Sequence, residues 1–244
     1  MLTSLYSEVI TPIPPLVSHK NLKLSSGKLS CSYREAIGKL LFVANCTRLD
    51  IAFAVNYLGR YQETPQEVHW TLLNRLFVYL TQTSKYGLLY ECTNEVVDAF
   101  ADSDFSGDKM SKSTTGYIVR FFGCPVAWAS RLQSCVAESS GEAENTSICA
   151  AAHDILFLVR LTEEIFGKSY FPVTLYEDSN TAIGFCTKHT SKSRLKHVMR
   201  KYYKSKEYVN DNLLKIVKIG SKNQKADLLT KGLPKETFIQ QRNA

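Results

Sequence analysis

The spacing of hydrophobic positions changes near residue 88. From residue 33 to about residue 84, apolar side chains recur every three or four positions, which predicts amphipathic helices. Ser32 stands before the first helix, with Glu35 three residues further on, a pattern typical of a capping box. We therefore expect a helical segment over residues 31–88, preceded by an extended, proline-containing lead over residues 1–30.

Beyond residue 88 the pattern predicts strands alternating with helices. The predicted strands cover residues 96–102, 116–122, 126–129, 173–177 and 213–219, and the predicted helices cover residues 140–166, 180–187, 193–209 and 223–231. This order indicates a mixed sheet with helices on its faces, an α/β (α+β) class. We expect this domain to span residues 89–235, followed by a tail over residues 236–244.

Composition excludes several classes of protein. The longest apolar stretches, such as 40–44, are too short to cross a membrane, and the first residues show no secretory signal. The 7 cysteines are odd in number and include no Cys-x-x-Cys pair, which favours free thiols in a reducing compartment over disulfides or a zinc site.

Positive charge is concentrated in one stretch. The net charge is +7, and residues 188–206 hold eight of the Lys and Arg residues and no acid. A charge run is usually a solvated face, but this one lies on a predicted amphipathic helix and permits a polyanionic partner. The candidate nucleic-acid contacts are Lys192, Arg194, Arg200, Lys201 and Lys204.

Four carboxylates stand at positions suited to metal binding. Asp102 ends the first predicted strand, Glu142 opens the long helix, Asp178 ends the fourth strand and Asp227 lies in the last helix. Taken singly, each has an ordinary explanation as a turn residue, a helix cap or a solvated side chain. Together they occupy places where the ligands of α/β sheets gather, and hard cations such as Mg²⁺ prefer oxygen ligands.

Six segments resemble, in order, the motifs of the copia-type retrotransposon ribonuclease H domain. They are Ala101-Asp-Ser-Asp-Phe-Ser-Gly107, Ser113-Thr-Thr-Gly-Tyr117, Trp128-Ala-Ser-Arg-Leu-Gln133, Ser139-Ser-Gly-Glu-Ala-Glu-Asn145, Asp178-Ser-Asn-Thr-Ala-Ile183 and Gln224-Lys-Ala-Asp-Leu-Leu-Thr-Lys231. Upstream, Tyr33-Arg-Glu-Ala-Ile-Gly-Lys-Leu-Leu41 and Thr47-Arg-Leu-Asp-Ile-Ala-Phe-Ala-Val55 resemble the end of the family's reverse transcriptase. The resemblance covers residues 33–231.

The resemblance implies a ribonuclease H-like fold with an N-terminal helical appendage from the reverse transcriptase. It implies endonucleolytic cleavage of the RNA strand of RNA–DNA hybrids during reverse transcription, with two Mg²⁺ ions (Mn²⁺ as an alternative). The metal ligands and catalytic residues it implies are Asp102, Glu142, Asp178 and Asp227, with Asp104 and Glu144 ranked second.

The resemblance also implies partners and a location. The partners are the hybrid and the rest of the polyprotein, including the reverse transcriptase palm and fingers and the integrase, without a membrane. Polymerase chemistry is expected to be absent from these residues, with palm and fingers expected to precede Met1, and the chain is expected to be a C-terminal piece of a longer product. The expected location is the cytoplasm, in a virus-like particle for an active element, with the nucleus as an alternative.

Departures from the family pattern keep other functions open. Gly141 replaces a family threonine, Asn145 a tyrosine and Phe105 a tryptophan, and an acid is lost in 194–199. A catalytically inactive nucleic-acid-binding remnant, or domesticated adaptor, is the main alternative to an active nuclease. An integrase-like core with three acids is a third, although it would lack the 224–231 motif.

Overall fold

The computed structural model describes residues 32–91, 96–108, 110–187 and 196–243, with the backbone alone described for 196–202. The chain divides into two compact units. A helical unit comprises residues 1–88 and 232–244, and a sheet unit comprises residues 89–231. Among the described residues, no helix is long and apolar enough to span a membrane.

The helical unit begins as its hydrophobic pattern predicts. Helices α1 (Tyr33–Cys46), α2 (Ala52–Gly59) and α3 (Glu67–Gln82) bury apolar stripes, with a 3₁₀ turn at Leu49–Ile51 before α2. The hydroxyl of Ser32 accepts a hydrogen bond from the Glu35 backbone N–H at 3.2 Å, which confirms the predicted start of α1.

The sheet unit contains a mixed five-stranded sheet, as expected for the α/β class. Its strands are β1 (Val97–Asp104), β2 (Thr114–Phe121), β3 (Cys124–Leu132), β4 (Val173–Glu177) and β5 (Leu214–Lys218). Their order is β3-β2-β1-β4-β5. β2 is antiparallel to β1 and β3, while β4 is parallel to β1 and β5. The first three strands are longer than predicted, because the β1–β2 ladder continues to the Asp104–Thr114 pair and the β2–β3 ladder runs from the Thr114–Leu132 pair to the Phe121–Cys124 pair.

In the described part of the sheet unit, three helices accompany the sheet: α4 (Ser140–Phe166), α5 (Asn180–Thr187) and α6 (Lys196–Asn210). The buried stripe of α4 includes Ile148, Ile155 and Val159, which share a core with β1, β2 and β4. Ser139, one residue before the predicted start of this helix, accepts the capping hydrogen bond, and Gly167 ends the helix in the left-handed conformation with φ 64°.

The end of the chain differs in two places from the expected elements. The predicted helix over 223–231 is a pair of 3₁₀ turns, Ser221–Asn223 and Lys225–Leu229. The predicted tail over 236–244 instead contains a helix, α7 (Lys235–Arg242), which belongs to the helical unit. Phe238 of α7 is buried and meets the Tyr79 ring edge to face, with centroids 5.9 Å apart, so this segment has a packing partner that its weak amphipathic pattern did not indicate.

Candidate metal centre

Three carboxylates from separate elements converge at one edge of the sheet. Asp102 lies on β1, Glu144 on α4, and Asp178 directly follows β4. One carboxylate oxygen of each lies within 4.8 Å of the others, an arrangement that could hold a metal ion. β1 and β4 are adjacent and parallel, with Phe100 opposite Tyr176. The acids at the ends of the two strands therefore lie at the same edge of the sheet.

Glu144, which sequence reasoning ranked second, occupies the place expected for Glu142. The Glu142 carboxylate turns back and accepts a hydrogen bond from the Glu138 backbone N–H at 2.8 Å, so Glu142 does not join the group. A signal for the position of Glu144 was present in the sequence, since Glu144 lies four and eleven positions before Ile148 and Ile155. It therefore continues the buried stripe of α4, whereas a residue two positions away faces another side.

The fourth expected acid, Asp227, adjoins the Asp102 end of the group. It lies in the 3₁₀ turn Lys225–Leu229, and its carboxylate pairs with the Lys231 ammonium at 2.7 Å. In the same segment, Thr230 donates its hydroxyl proton to Asp102 at 2.6 Å. The 224–231 motif therefore supplies one acid, one cation and one hydroxyl to the same place.

Asp178 is held by the end of β5 and by the 3₁₀ turn that follows it. The Ser221 hydroxyl donates to its carboxylate at 2.7 Å, and the Lys218 ammonium donates to its backbone carbonyl. The preceding residue, Glu177, is fully buried and accepts a hydrogen bond from the Ser179 backbone N–H at 3.0 Å. Glu177 is a fifth carboxylate of this region that sequence reasoning did not single out.

The electrostatics of this group favour a bound cation. Burial, reinforced by neighbouring carboxylates, raises the pKa of Asp102, Glu144 and Glu177 above the ordinary values of aspartate and glutamate. Burial alone would lower the pKa of Lys231, but Asp102 and Asp227 outweigh it and the pKa is raised. One carboxylate oxygen of Glu144 is buried without a hydrogen-bond partner. Buried, closely spaced carboxylate oxygens with an unsatisfied acceptor fit a hard divalent cation.

Two family motifs hold the helix that carries Glu144. The amide of Gln133, at the end of the Trp128–Gln133 motif, donates to the Thr115 hydroxyl and to the Ala143 carbonyl, both at 3.0 Å. The Ser147 hydroxyl of α4 also lies 3.2 Å from the Thr115 hydroxyl. These buried hydrogen bonds tie the first turns of α4 to β2 and so set the position of Glu144.

Two further motif residues position the segment around Asp227. The buried amide of Gln224 donates to the Ala101 carbonyl of β1 at 2.8 Å. Gly116, opposite Asp102 on β2, leaves room for the same segment: a Cβ there would lie 2.6 Å from Thr230 Cγ2 and 2.9 Å from Leu229 Cβ. The motif glycine is thus required by close approach of the 3₁₀ turn to the sheet.

The departures at 141 and 145 have packing explanations. A Cβ on Gly141 would lie 2.6 Å from Thr181 Cγ2, so glycine here makes room for α5 against the start of α4. The buried Asn145 accepts a hydrogen bond from the Ser205 hydroxyl of α6 at 2.7 Å. Both substitutions therefore sit in a packed environment of the sheet unit.

Of the five candidate nucleic-acid contacts, Lys204 is the one whose side chain is described. Lys192 and Arg194 lie outside the described residues, and the side chains of Arg200 and Lys201 are likewise outside the description. Lys204 is described: its half-exposed side chain lies 3.5 Å from Glu207 and over the Tyr208 ring. The predicted role of the basic helix stays a prediction.

Comparison with curated proteins gives long matches to transposon polyproteins. The chain is 34% identical over 207 residues to the retrovirus-related Pol polyprotein from transposon TNT 1-94 of Nicotiana tabacum, a match that covers 84% of this chain. It is 32% identical over 235 residues, 94% of this chain, to that from transposon RE2 of Arabidopsis thaliana. The chain belongs to the copia-type retrotransposon Pol polyproteins. It spans 16% of the length of these two relatives.

Two further comparisons concern family models and solved structures. No protein-family model matches the chain. The crystal structure of ribonuclease H1 from the archaeon Halobacterium salinarum aligns with 55% of this chain and 93% of its own, at 18% identity and a TM-score of 0.40. The mixed five-stranded sheet with its helices fits the ribonuclease H-like fold expected for this part of a Pol polyprotein.

Proposed function

We propose that the sheet unit is a metal-dependent ribonuclease H, which cleaves the RNA strand of RNA–DNA hybrids endonucleolytically during reverse transcription. The observation that carries the proposal is the convergence of Asp102, Glu144 and Asp178, whose oxygens lie within 4.8 Å of one another. A group of carboxylates can support several metal-dependent reactions. The similarity to Pol polyproteins supports ribonuclease H cleavage among them.

The carboxylate group would hold two divalent ions, Mg²⁺ or Mn²⁺. Asp102, Glu144 and Asp178 would hold the first ion, and Asp227 would contribute to the second at the Asp102 end. Divalent ions held by these residues would supply activation of a water and stabilisation of the oxygen that departs from phosphorus. Glu144 takes the role that the motif alone assigned to Glu142.

The remaining residues of the centre orient these acids. Thr230 holds one oxygen of Asp102 through a buried hydrogen bond of 2.6 Å, which fixes the carboxylate rotamer. Ser221 does the same for Asp178. Gln133 and Gln224 anchor the two segments that bring Glu144 and Asp227 to the strands. Such preorganisation matters because ligand carboxylates misplaced by about 1 Å lose much of their catalytic effect.

The hybrid would be held by its phosphates. Lys192, Arg194, Arg200, Lys201 and Lys204 are the proposed contacts, since a stretch of positive charge without acids binds a nucleic-acid backbone irrespective of sequence. The remaining partners would be the other parts of the polyprotein, including the polymerase palm and fingers and the integrase. The proposed location is the cytoplasm, within a virus-like particle.

The test compares four single variants for Mg²⁺-dependent cleavage of a labelled RNA–DNA hybrid. Asp102→Asn, Glu144→Gln and Asp178→Asn should each reduce cleavage by about a hundredfold or more, because each removes a metal ligand. Glu142→Gln is the matched control on the first turn of α4, and it should retain near-normal cleavage. Hybrid affinity, measured without metal, should change little in any of the four.

Two outcomes would contradict the proposal. Absence of cleavage by the unmodified chain, with hybrid binding intact, would favour the catalytically inactive nucleic-acid-binding remnant. Loss of cleavage in Glu142→Gln but not in Glu144→Gln would show that the second glutamate is not the ligand.

A further inference from the structure

The Asp227 end of the carboxylate group already has a cation of its own. The Lys231 ammonium lies 2.7 Å from the carboxylate of Asp227, which stands four residues earlier in the chain. The Asp227 side chain is 11% exposed and that of Lys231 is 41% exposed. An exposed ion pair of this spacing contributes little, but here the acid is buried and its partner reaches it from the solvent side.

The same segment is tied directly to the metal-binding group. Thr230, adjacent to Lys231, donates to Asp102, one of the three converging acids. Its hydroxyl also lies 3.2 Å from the Asp227 carbonyl. Buried carboxylate oxygens of Asp227, Glu144 and Glu177 all lack a hydrogen bond, but that of Asp227 has the Lys231 ammonium 2.7 Å away. The two ends differ in their demand for a cation.

We propose that the Lys231 ammonium competes with the second divalent ion for the Asp227 carboxylate. The inference rests on the proposed metal-dependent function and adds to it the order in which the two ions bind. The first ion would bind at Asp102, Glu144 and Asp178. The charge of Lys231 also acts on Asp102, but the direct contact of its ammonium is with Asp227, at 2.7 Å. Binding of a second ion at Asp227 requires the Lys231 ammonium to move away, which its partial exposure allows. Lys231 thereby weakens the second ion relative to the first.

The experiment is calorimetric titration of the full chain with Mn²⁺ in the absence of nucleic acid. The unmodified chain should bind one ion tightly and a second more weakly. Lys231→Gln should tighten the second ion by about tenfold, as expected when a unit positive charge is removed a few ångströms from a divalent ion in a partly screened site. Lys231→Arg retains the charge and should behave as the unmodified chain.

Lys225→Gln is the matched control from the same 3₁₀ segment. The Lys225 ammonium lies 5.7 Å from the centroid of the Phe100 ring, and the charges that act on it are Arg120 and Asp98. Its replacement should leave both Mn²⁺ affinities unchanged. Circular dichroism and thermal melting of each variant verify that the fold persists.

Three results would overturn the inference: equal affinities for two ions in the unmodified chain, no Mn²⁺ binding by that chain, or an unchanged or weaker second ion in Lys231→Gln. Failure of the proposed nuclease function is a separate result. It would appear as absence of hybrid cleavage, whereas the calorimetric readout contains no hybrid and measures only how Lys231 affects cation binding.

Discussion

Gly116 shows how a residue without a functional group can determine the geometry of the site. It lies on β2 opposite Asp102, and the 225–230 segment rests directly on its backbone. A methyl group there would lie 3.0 Å from the Ala226 carbonyl and closer still to Leu229 and Thr230. The segment would have to move away from the sheet, and it carries both Asp227 and the hydroxyl that holds Asp102.

Gly116→Ala should destabilise the sheet unit by about 1–3 kcal/mol, the usual cost of overpacking a filled interior. Cleavage of the hybrid should fall as well, because the Thr230–Asp102 hydrogen bond is disturbed. Urea unfolding measures the stability, and the labelled-hybrid assay measures the cleavage.

Gly220→Ala is the control for that variant. Gly220 precedes the same segment and has an ordinary φ of −75°. A methyl group there would meet no atom within 4 Å beyond its immediate neighbours in the chain. Its replacement should therefore be neutral or slightly stabilising. Equal effects of the two substitutions would show that close packing at Gly116 is unimportant.

At the scale of elements, the sequence predicts the bounds of a helix or strand correctly where local signals mark both of its ends. β4 and α5 have the predicted bounds because Pro172 and the Asp178–Asn180 turn delimit them sharply. Residues 223–231 are predicted from the sequence as one helix but form 3₁₀ turns. No local signal indicates that Gln224 bonds to the distant strand β1, or that Gly116 leaves room for the turn on β2. The choice between Glu142 and Glu144 also depended on the face of α4 that meets the sheet.

The basic helix α6 is an element whose role can be tested as a unit. Replacing Arg200, Lys201 and Lys204 with Gln should weaken hybrid binding without introducing sequence preference. Each lost phosphate contact should flatten the slope of log affinity against log salt by about 0.9, a value for B-DNA that a hybrid should approximate. Fluorescence anisotropy at several salt concentrations measures the slope.

A charge-matched triple in the helical unit controls for net charge: Lys39, Lys85 and Lys235, each replaced with Gln. Its salt slope should stay near that of the unmodified chain. If both triples flatten the slope equally, overall charge rather than α6 governs hybrid binding, and the proposed contacts fail.

At the scale of the whole molecule, the centre concentrates negative charge inside a protein whose net charge is +7. Asp102, Glu144 and Glu177 are all buried within one region, and burial with mutual repulsion raises the pKa of each. Bringing these acids together lowers the free energy of unfolding. A cation that binds only the folded state should raise it again.

The pH dependence of stability follows from the direction of these pKa shifts. A raised pKa means that the folded chain retains protons that the unfolded chain has released. This contribution to stability is fully present below the ordinary carboxyl pKa and is lost as pH rises through the raised values. The metal-free chain should therefore melt at a lower temperature at about pH 9 than at about pH 6. Thermal melts with a chelator present measure the difference.

Divalent cations should reverse that trend, because metal binding requires deprotonated carboxylates and thus strengthens as pH rises. Adding Mn²⁺ should raise the melting temperature more at about pH 9 than at about pH 6, and Glu144→Gln should reduce both the pH dependence and the Mn²⁺ effect. Glu142→Gln again serves as control, since its carboxylate bonds to the Glu138 backbone and lies outside the converging group. A metal-free melting temperature that rises with pH, or a Mn²⁺ effect that Glu142→Gln removes and Glu144→Gln preserves, would mean that the buried acids do not act as one cation-binding centre.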